Sequence, residues 1–390
     1  MTYGGGTNVA LCKEFIMKRL SRLACLGAAA MAATGLLAGP ANAEPRSQSE
    51  HAVFVQTDET TGNHVVAYRE ADDGTLSLAN TYATGGNGGI LPTSVIDHTA
   101  SQGAVTYDRQ HRLLYAVNAG SNTVSVFAVR GTALALRQVV SSGGTFPVSI
   151  AVHGDLVYVA NAQNGGTIQG YVEYGEHLFR IRDWNRPLGL DPTLTTFTQT
   201  PGQVTFSPDG TQLLVTTKAN TNSIEVFNLN RFGRPAQTPV INTRPGAVPF
   251  AIAFDQRGHA VVADAGTASV TTLRLGHSGT LTPLSTVATG QRGTCWVIRD
   301  GNFLFTTNPG GPSVTTLSVD GTSVPSVLGS TTTDPGTVDP AISHDGRFLY
   351  VETGANGIVD EFRVNADGSL TSIGSVTVAN AAGAEGIAAS

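Results

Sequence analysis

Positive charge is scarce in this sequence: 23 Lys and Arg stand against 29 Asp and Glu, a formal net charge of −6 over 390 residues. A nucleic-acid binder needs a basic stripe to displace counterions from phosphates, so this balance argues against a nucleic-acid partner. Cysteine is nearly missing. Only Cys12, Cys25 and Cys295 occur, and the first two fall in a segment that reads as a removable leader. The exported chain would keep one thiol and no internal disulfide, leaving packing and hydrogen bonds to supply its stability. There is no G-x-S-x-G elbow, H-E-x-x-H pair, P-loop or cysteine cluster, which excludes several common hydrolase, metal and phosphate signatures. What the chain does have is 46 Gly, 41% apolar residues and only 13% charged ones. That composition fits an all-β protein rich in tight turns and does not fit disorder.

From Met17 the chain reads "MKRLSRLACLGAAAMAATGLLAGPANA", with Lys18, Arg19 and Arg22 ahead of an apolar run. Ala41-Asn42-Ala43 forms an A-x-A cleavage site, so residues 17–43 read as a signal peptide and Glu44 as the mature start. Residues 1–16 then form an upstream extension, and either Met1 or Met17 is the true start. A membrane anchor is the alternative, but the run is short and Gly-rich. Arg22 stands where a lipobox before Cys25 would carry an apolar residue, which argues against a lipoprotein. The expected location is secreted or periplasmic.

Residues 44–390 repeat one unit, and a repeat decides the fold more firmly than any local pattern. Examples are "LLYAVNAGSNTVSVFAV" (113–129), "LVYVANAQNGGTIQGYV" (156–172), "LLVTTKANTNSIEVFNL" (213–229) and "FLYVETGANGIVDEFRV" (348–364). Counting from "AVFVQTDETTGNHVVAYR" (52–69), there are seven copies. Marker residues Leu113, Leu156, Leu213, Ala260, Phe303 and Phe348 are spaced by 43, 57, 47, 43 and 45 residues, the length of four short strands. "SPDG" (207–210) and "SHDG" (343–346) supply turns between first and second strands. "DDGTL" (72–76) and "ADGSL" (366–370) do so between third and fourth. The first unit lacks a first strand, and the terminal "GAEGIAAS" (383–390) resembles first strands such as "VPFAIAFD" (248–255). An all-β, seven-bladed β-propeller is therefore expected, its ring closed by strands from both termini, which removes the open edges that a solenoid would expose.

"FSPDGTQLLVTTKANTNSIEVFNL" and "SHDGRFLYVETGANGIVDEFRVNADGSLTSIG" resemble the lactonase-type seven-bladed propellers, the 6-phosphogluconolactonase-like and carboxymuconate cyclase-like proteins. The resemblance runs over residues 51–390. It implies a site at one mouth of the central channel, where cyclase-type members use a His, two Arg and a Glu. The aligned positions here are Pro147-Val148-Ser149, Pro201-Gly202-Gln203, Ala219 beside Lys218, and Ala265.

Two rings of residues are the candidate site. One lies where second strands end: Thr57, Asn118, Asn161, Lys218, Asp264, Asn308 and Thr353, with Asp58 and Glu352 adjacent. The other lies just before the first strands: Gln102, Ser149, Gln203, Phe250, Trp296, Asp339 and Glu385. Asp264, Asp339 and Glu385 are candidate bases and Lys218 a charge stabiliser, in a ring opening assisted by general base. Asn118, Asn161, Gln203, Phe250, Trp296, Asn308 and Glu352 are candidate ligand contacts. Each position also has a purely architectural reading, since Asn and Asp suit the turns and Trp296 could fill a gap between blades. His98, His111 and His153 come nearest to a histidine grouping, and the long insertion at 180–200, with Arg182, Trp184 and Arg186, reads as a loop. No cofactor is predicted, while a divalent cation on the channel axis stays open. The expected partner is a small molecule bound by a monomer, with no nucleic acid and no membrane span after leader cleavage. Two functions follow: a secreted lactonase-like enzyme, or a non-catalytic propeller that binds a ligand or partner on the same face.

Overall fold

The computed structural model describes residues 51–319 and 323–390. The expected leader and upstream extension lie outside the described residues. Within them, 28 strands form seven four-stranded antiparallel sheets. The ring closes as expected: Ile387–Ala389 pairs antiparallel with Ala52–Gln56, through Val53 with Ala389, Phe54 with Ala388 and Val55 with Ile387. Blade one thus takes its first strand from the C-terminus. The first strands of blades two to seven are Val105–Asp108, Pro147–His153, Gln203–Phe206, Pro249–Phe254, Trp296–Asp300 and Thr337–Ile342. Among the described residues no helix is long and apolar enough to cross a membrane.

The turn chemistry works as the sequence implies. In "SPDG" the Ser207 hydroxyl donates to Asp209 Oδ1 at 2.6 Å, and Gly210 takes φ +68°. "SHDG" repeats this with Ser343, Asp345 and Gly346 at φ +71°. In the third-to-fourth turns Gly has a second duty. A Cβ on Gly74 would lie 2.2 Å from the Phe348 ring, and one on Gly368 2.5 Å from Phe303. Each turn therefore presses its backbone onto an aromatic ring of the preceding blade.

The seams between blades form the core. Val53, Val55 and Tyr68 of blade one pack with Phe348, Tyr350 and Val359 of blade seven. Each such fully buried side chain contributes about 1.5–3 kcal/mol. Tyr350 also donates its hydroxyl to Gly74 O at 2.9 Å, and Tyr158 donates to Gly233 O at 2.6 Å.

The first part of the 180–200 insertion is not a loop, which corrects the sequence reading for those residues. His177–Pro187 is the outer strand of that blade. Trp184 stacks on Tyr158 with ring centroids 6.2 Å apart, and Arg186 donates to Ala236 O and Pro235 O of blade four. Buried Leu178, Trp184 and Arg186 hold this segment to the sheet. Residues 188–202 alone form the irregular crossing.

Candidate functional site

First strands begin, and second strands end, at the same face of the ring. Two long irregular junctions cross that face, residues 84–104 between blades one and two and residues 188–202 between blades three and four. They touch where Phe197 N donates to Pro92 O at 3.2 Å. Beneath them sits a cluster of ionisable side chains, all buried: Asp58, Asp97, Asp339, Glu352, Glu385 and Lys218.

Glu385 is its centre. Its carboxylate accepts from Thr99 Oγ1 at 2.7 Å, Ser101 N at 2.9 Å and Trp296 Nε1 at 3.1 Å. Burial raises the Glu385 carboxyl, and the neighbouring Asp97 raises it further. Asp97 Oδ1 accepts from Ala100 N at 2.6 Å. Glu385 N donates to Asp58 Oδ2 at 3.1 Å, and Gly386 N to Glu352 Oε2 at 2.8 Å. Asp339 accepts from the backbone of Gly103 and Ile387.

Lys218 follows the second strand of blade four, in the single-turn helix Lys218–Thr221. Its ammonium donates to Ala100 O and Phe197 O, each at 2.5 Å, and lies 5.2 Å from the Phe250 ring centroid. Phe250 in turn meets Trp296 at 4.6 Å.

Burial dominates the electrostatics. Five acids and one ammonium in a dry space cannot all be charged, so protons are retained. Burial lifts Asp58 to about 7 against its amide donors, and raises Asp97, Asp339, Glu352 and Glu385 as well. Lys218 is pulled down to about 8 by burial, opposed by Asp97 and Glu385. Buried Cys295 beside them has its thiol pushed up. Three non-glycine residues here hold left-handed backbone: Asp58 at φ +53°, Ala100 at +48° and Lys218 at +48°. Such strain tends to concentrate at functional sites.

The structure therefore brings together Lys218, Asp339, Glu385, Glu352, Phe250 and Trp296 of the expected residues. Asp58, named beside the first ring, joins them through Glu385 N, whereas the following residues serve other contacts. Asp264 is paired with Arg244 and accepts from Thr271 Oγ1 at 2.6 Å. Asn118 donates to Ser125 Oγ at 2.8 Å, Asn161 to Thr167 Oγ1 at 3.1 Å, and Asn308 to Ser313 O at 3.1 Å, each serving its own blade's turn. Gln203 accepts from Ile252 N at 2.6 Å and ties blade four to blade five. Gln102 spans the ring to blade six, exchanging two 3.0 Å hydrogen bonds with the Val297 backbone. His98 lies on this face, where its N donates to Gly383 O, whereas His111 and His153 sit at the far ends of the strands. No histidine trio forms among them.

Asp97, Thr99 and Ser101 were invisible to repeat counting because they lie between blades. The available signal was the length of the 84–104 junction, since an insertion on one face of a repeat array often carries function.

Residues 53–173 match the family described as "Lactonase, 7-bladed beta-propeller". No curated protein matches the chain. A proposed 6-phosphogluconolactonase of Bacteroides uniformis is similar in structure, at TM-score 0.70 and 19% identity over 85% of this chain and 97% of that one. The periplasmic gluconolactonase of Pseudomonas aeruginosa superposes at TM-score 0.66 and 18% identity, covering 85% and 97%. Virginiamycin B lyase of Staphylococcus aureus is more distant, at 0.53 and 11%, covering 74% and 88%. At these identities the neighbours speak for the fold. The ring closed by both termini makes the chain a seven-bladed β-propeller, and its first blades match the lactonase propeller family.

Proposed function

We propose that this propeller is an exported hydrolase that opens a small, unphosphorylated lactone at the Asp97–Glu385 pair. The observation that carries this reading is that two buried carboxyls and a buried ammonium are all held by the 97–101 segment, Glu385 at Thr99 and Ser101, Asp97 at Ala100 N and Lys218 at Ala100 O. Such a pair supplies an acid and a base at once. The ionised carboxyl takes a proton from water as its oxygen attacks the lactone carbonyl, and Lys218 stabilises the oxyanion. The ring C–O bond then breaks, and the protonated carboxyl gives its proton to the departing ring oxygen. A hydroxy acid is the product. Entry requires the 84–104 junction to lift from the cluster.

Charge selects the substrate class. Lys218 is the one cation in the cluster, and its ammonium is already bonded to Ala100 O and Phe197 O, so a phosphate would find no free counter-charge there. The family resemblance and the expected leader support the exported setting, where sugar phosphates are not the natural substrate. Asp264, held by Arg244, stands outside this mechanism.

The test is a panel of neutral and 6-phosphorylated lactones given to the purified protein. Neutral lactones should open, and Glu385→Gln should lose about a hundredfold in kcat/KM. An inactive wild-type protein would sink the enzyme reading. The second reading, a non-catalytic ligand binder, is favoured by the Gln102–Val297 bridge that closes the axis. It predicts saturable lactone binding without turnover.

A further inference from the structure

At the far end of the strands, blades two and three meet in a second cluster. Asp108 ends the first strand of blade two, and its Oδ1 accepts from Gln110 N at 2.9 Å and His111 N at 3.2 Å. Its Oδ2 lies 2.6 Å from His111 Nδ1. That contact makes Nδ1 the proton donor and leaves the Nε2 lone pair on the outer side of the ring. Nε2 faces two carboxylates of blade three, Asp155 Oδ1 at 3.3 Å and Glu173 Oε2 at 3.5 Å. Three electron-rich atoms facing one another at this range call for a positive charge between them. The three lie within 4.8 Å of one another. Two ligand atoms about 2.1 Å from a common tetrahedral ion stand about 3.4 Å apart.

A neighbouring tyrosine gives an independent sign. Tyr115, Tyr158 and Tyr350 occupy the same position in their blades. Tyr158 and Tyr350 each donate to a carbonyl in the next blade's third-to-fourth turn, at Gly233 and Gly74. The corresponding turn for Tyr115 follows Glu173. The Tyr115 side chain is fully buried, within electrostatic range of Asp108 and Glu173, yet its hydroxyl has no hydrogen-bond partner. A buried hydroxyl without a partner is costly, and the charges that act on it are those of Asp108 and Glu173 in this cluster.

We propose that His111, Asp155 and Glu173 bind a divalent cation of the zinc class, with Asp108 orienting the imidazole and the ion clipping blade two to blade three. One imidazole nitrogen and two carboxylates suit such an ion. A water completing the tetrahedron gives the Tyr115 hydroxyl its missing partner. The chain's other turn of this type lacks the ligands. His259 Nδ1 meets both Asp255 Oδ2 at 2.9 Å and the Ser323 hydroxyl at 2.7 Å, and among the described residues no carboxylate pair like Asp155 and Glu173 faces its ring.

The experiment is calorimetric titration of chelator-treated full-length protein with Zn2+, paired with thermal unfolding. One ion per chain should bind, and it should raise the unfolding midpoint. Asp155→Asn, a change at a partly exposed side chain, should weaken binding at least tenfold. His111→Gln should also weaken binding, whereas His259→Gln and Glu385→Gln should bind as wild type. Absence of saturable binding overturns the proposal, because a proton on His111 then suffices. So does wild-type affinity in Asp155→Asn, or loss of binding in Glu385→Gln.

Discussion

The two ends of the propeller hold similar chemistry in different surroundings. At one end Asp58, Asp97, Asp339, Glu352 and Glu385 lie under two crossing junctions with one ammonium among them. At the other, Asp108, Asp155 and Glu173 surround one imidazole near the surface, with Asp155 at 36% side-chain exposure. Acids sealed from water answer their crowding by keeping protons, since ionising them in a dry space costs more than protonating them. At the far end Asp155 is partly exposed, and the carboxylates converge on one imidazole, the place proposed above for a cation. What differs is the company each set of acids keeps: an ammonium and crossing junctions at one end, an imidazole at the seam of two blades at the other.

Changing the pH should separate the ends most sharply. Burial raises Asp58 from 3.8 to about 7, so the folded chain holds a proton that the unfolded chain releases. The sign is opposite to that of a salt-bridged aspartate. The stabilising contribution is complete below the unfolded value, and is lost as pH rises through the folded one. For Asp58 alone the loss is about 4 kcal/mol across that window. Asp97, Asp339, Glu352 and Glu385 act in the same direction. Urea unfolding at about pH 4 and about pH 8 should show lower stability at the higher pH, and Asp58→Asn should flatten the trend. A flat wild-type profile would mean the cluster is not protonated as described.

A smaller effect is expected at the cluster's only cation. Lys218→Met preserves the bulk of the side chain, but it strips the donor from Ala100 O and Phe197 O and removes the counter-charge of Asp97 and Glu385. Losing one member of a buried pair usually costs more, but these acids can respond by binding protons. A loss of about 2 kcal/mol near neutral pH is expected from chemical denaturation. An unchanged midpoint would show that the ammonium does not pin the two junctions.

The ring and its closure were legible because each blade repeats its turns, and the orphan strand "GIAAS" matched the missing one in blade one. The site was legible only in part. Glu385, Asp339 and Lys218 occupy repeat positions, so aligning blades exposed them. Asp97 sits in an irregular junction with no register, and no periodicity could find it. Asn118, Asn161 and Asn308 show the converse limit, because a turn and a ligand ask for the same amide and only the hydrogen-bond partners tell them apart. His111 was visible as a turn histidine. The two carboxylates facing its Nε2 come from the neighbouring blade, which one unit's sequence does not reveal.

The finest comparison uses one hydroxyl in two blades. Tyr350→Phe removes a hydrogen bond to Gly74 O and strands a buried carbonyl at the seam of blades seven and one, so it should cost about 1 kcal/mol with or without metal. Tyr115→Phe removes a hydroxyl that has no hydrogen-bond partner, so in chelator it should be neutral or slightly stabilising. With Zn2+ present the sign should reverse, because the variant loses the contact to the water on the ion and with it part of the metal-dependent gain. Thermal unfolding of both variants, with and without Zn2+, reads the difference directly. If Tyr115→Phe behaves like Tyr350→Phe under both conditions, the hydroxyl has an ordinary partner at the seam and is not turned toward the His111 cluster.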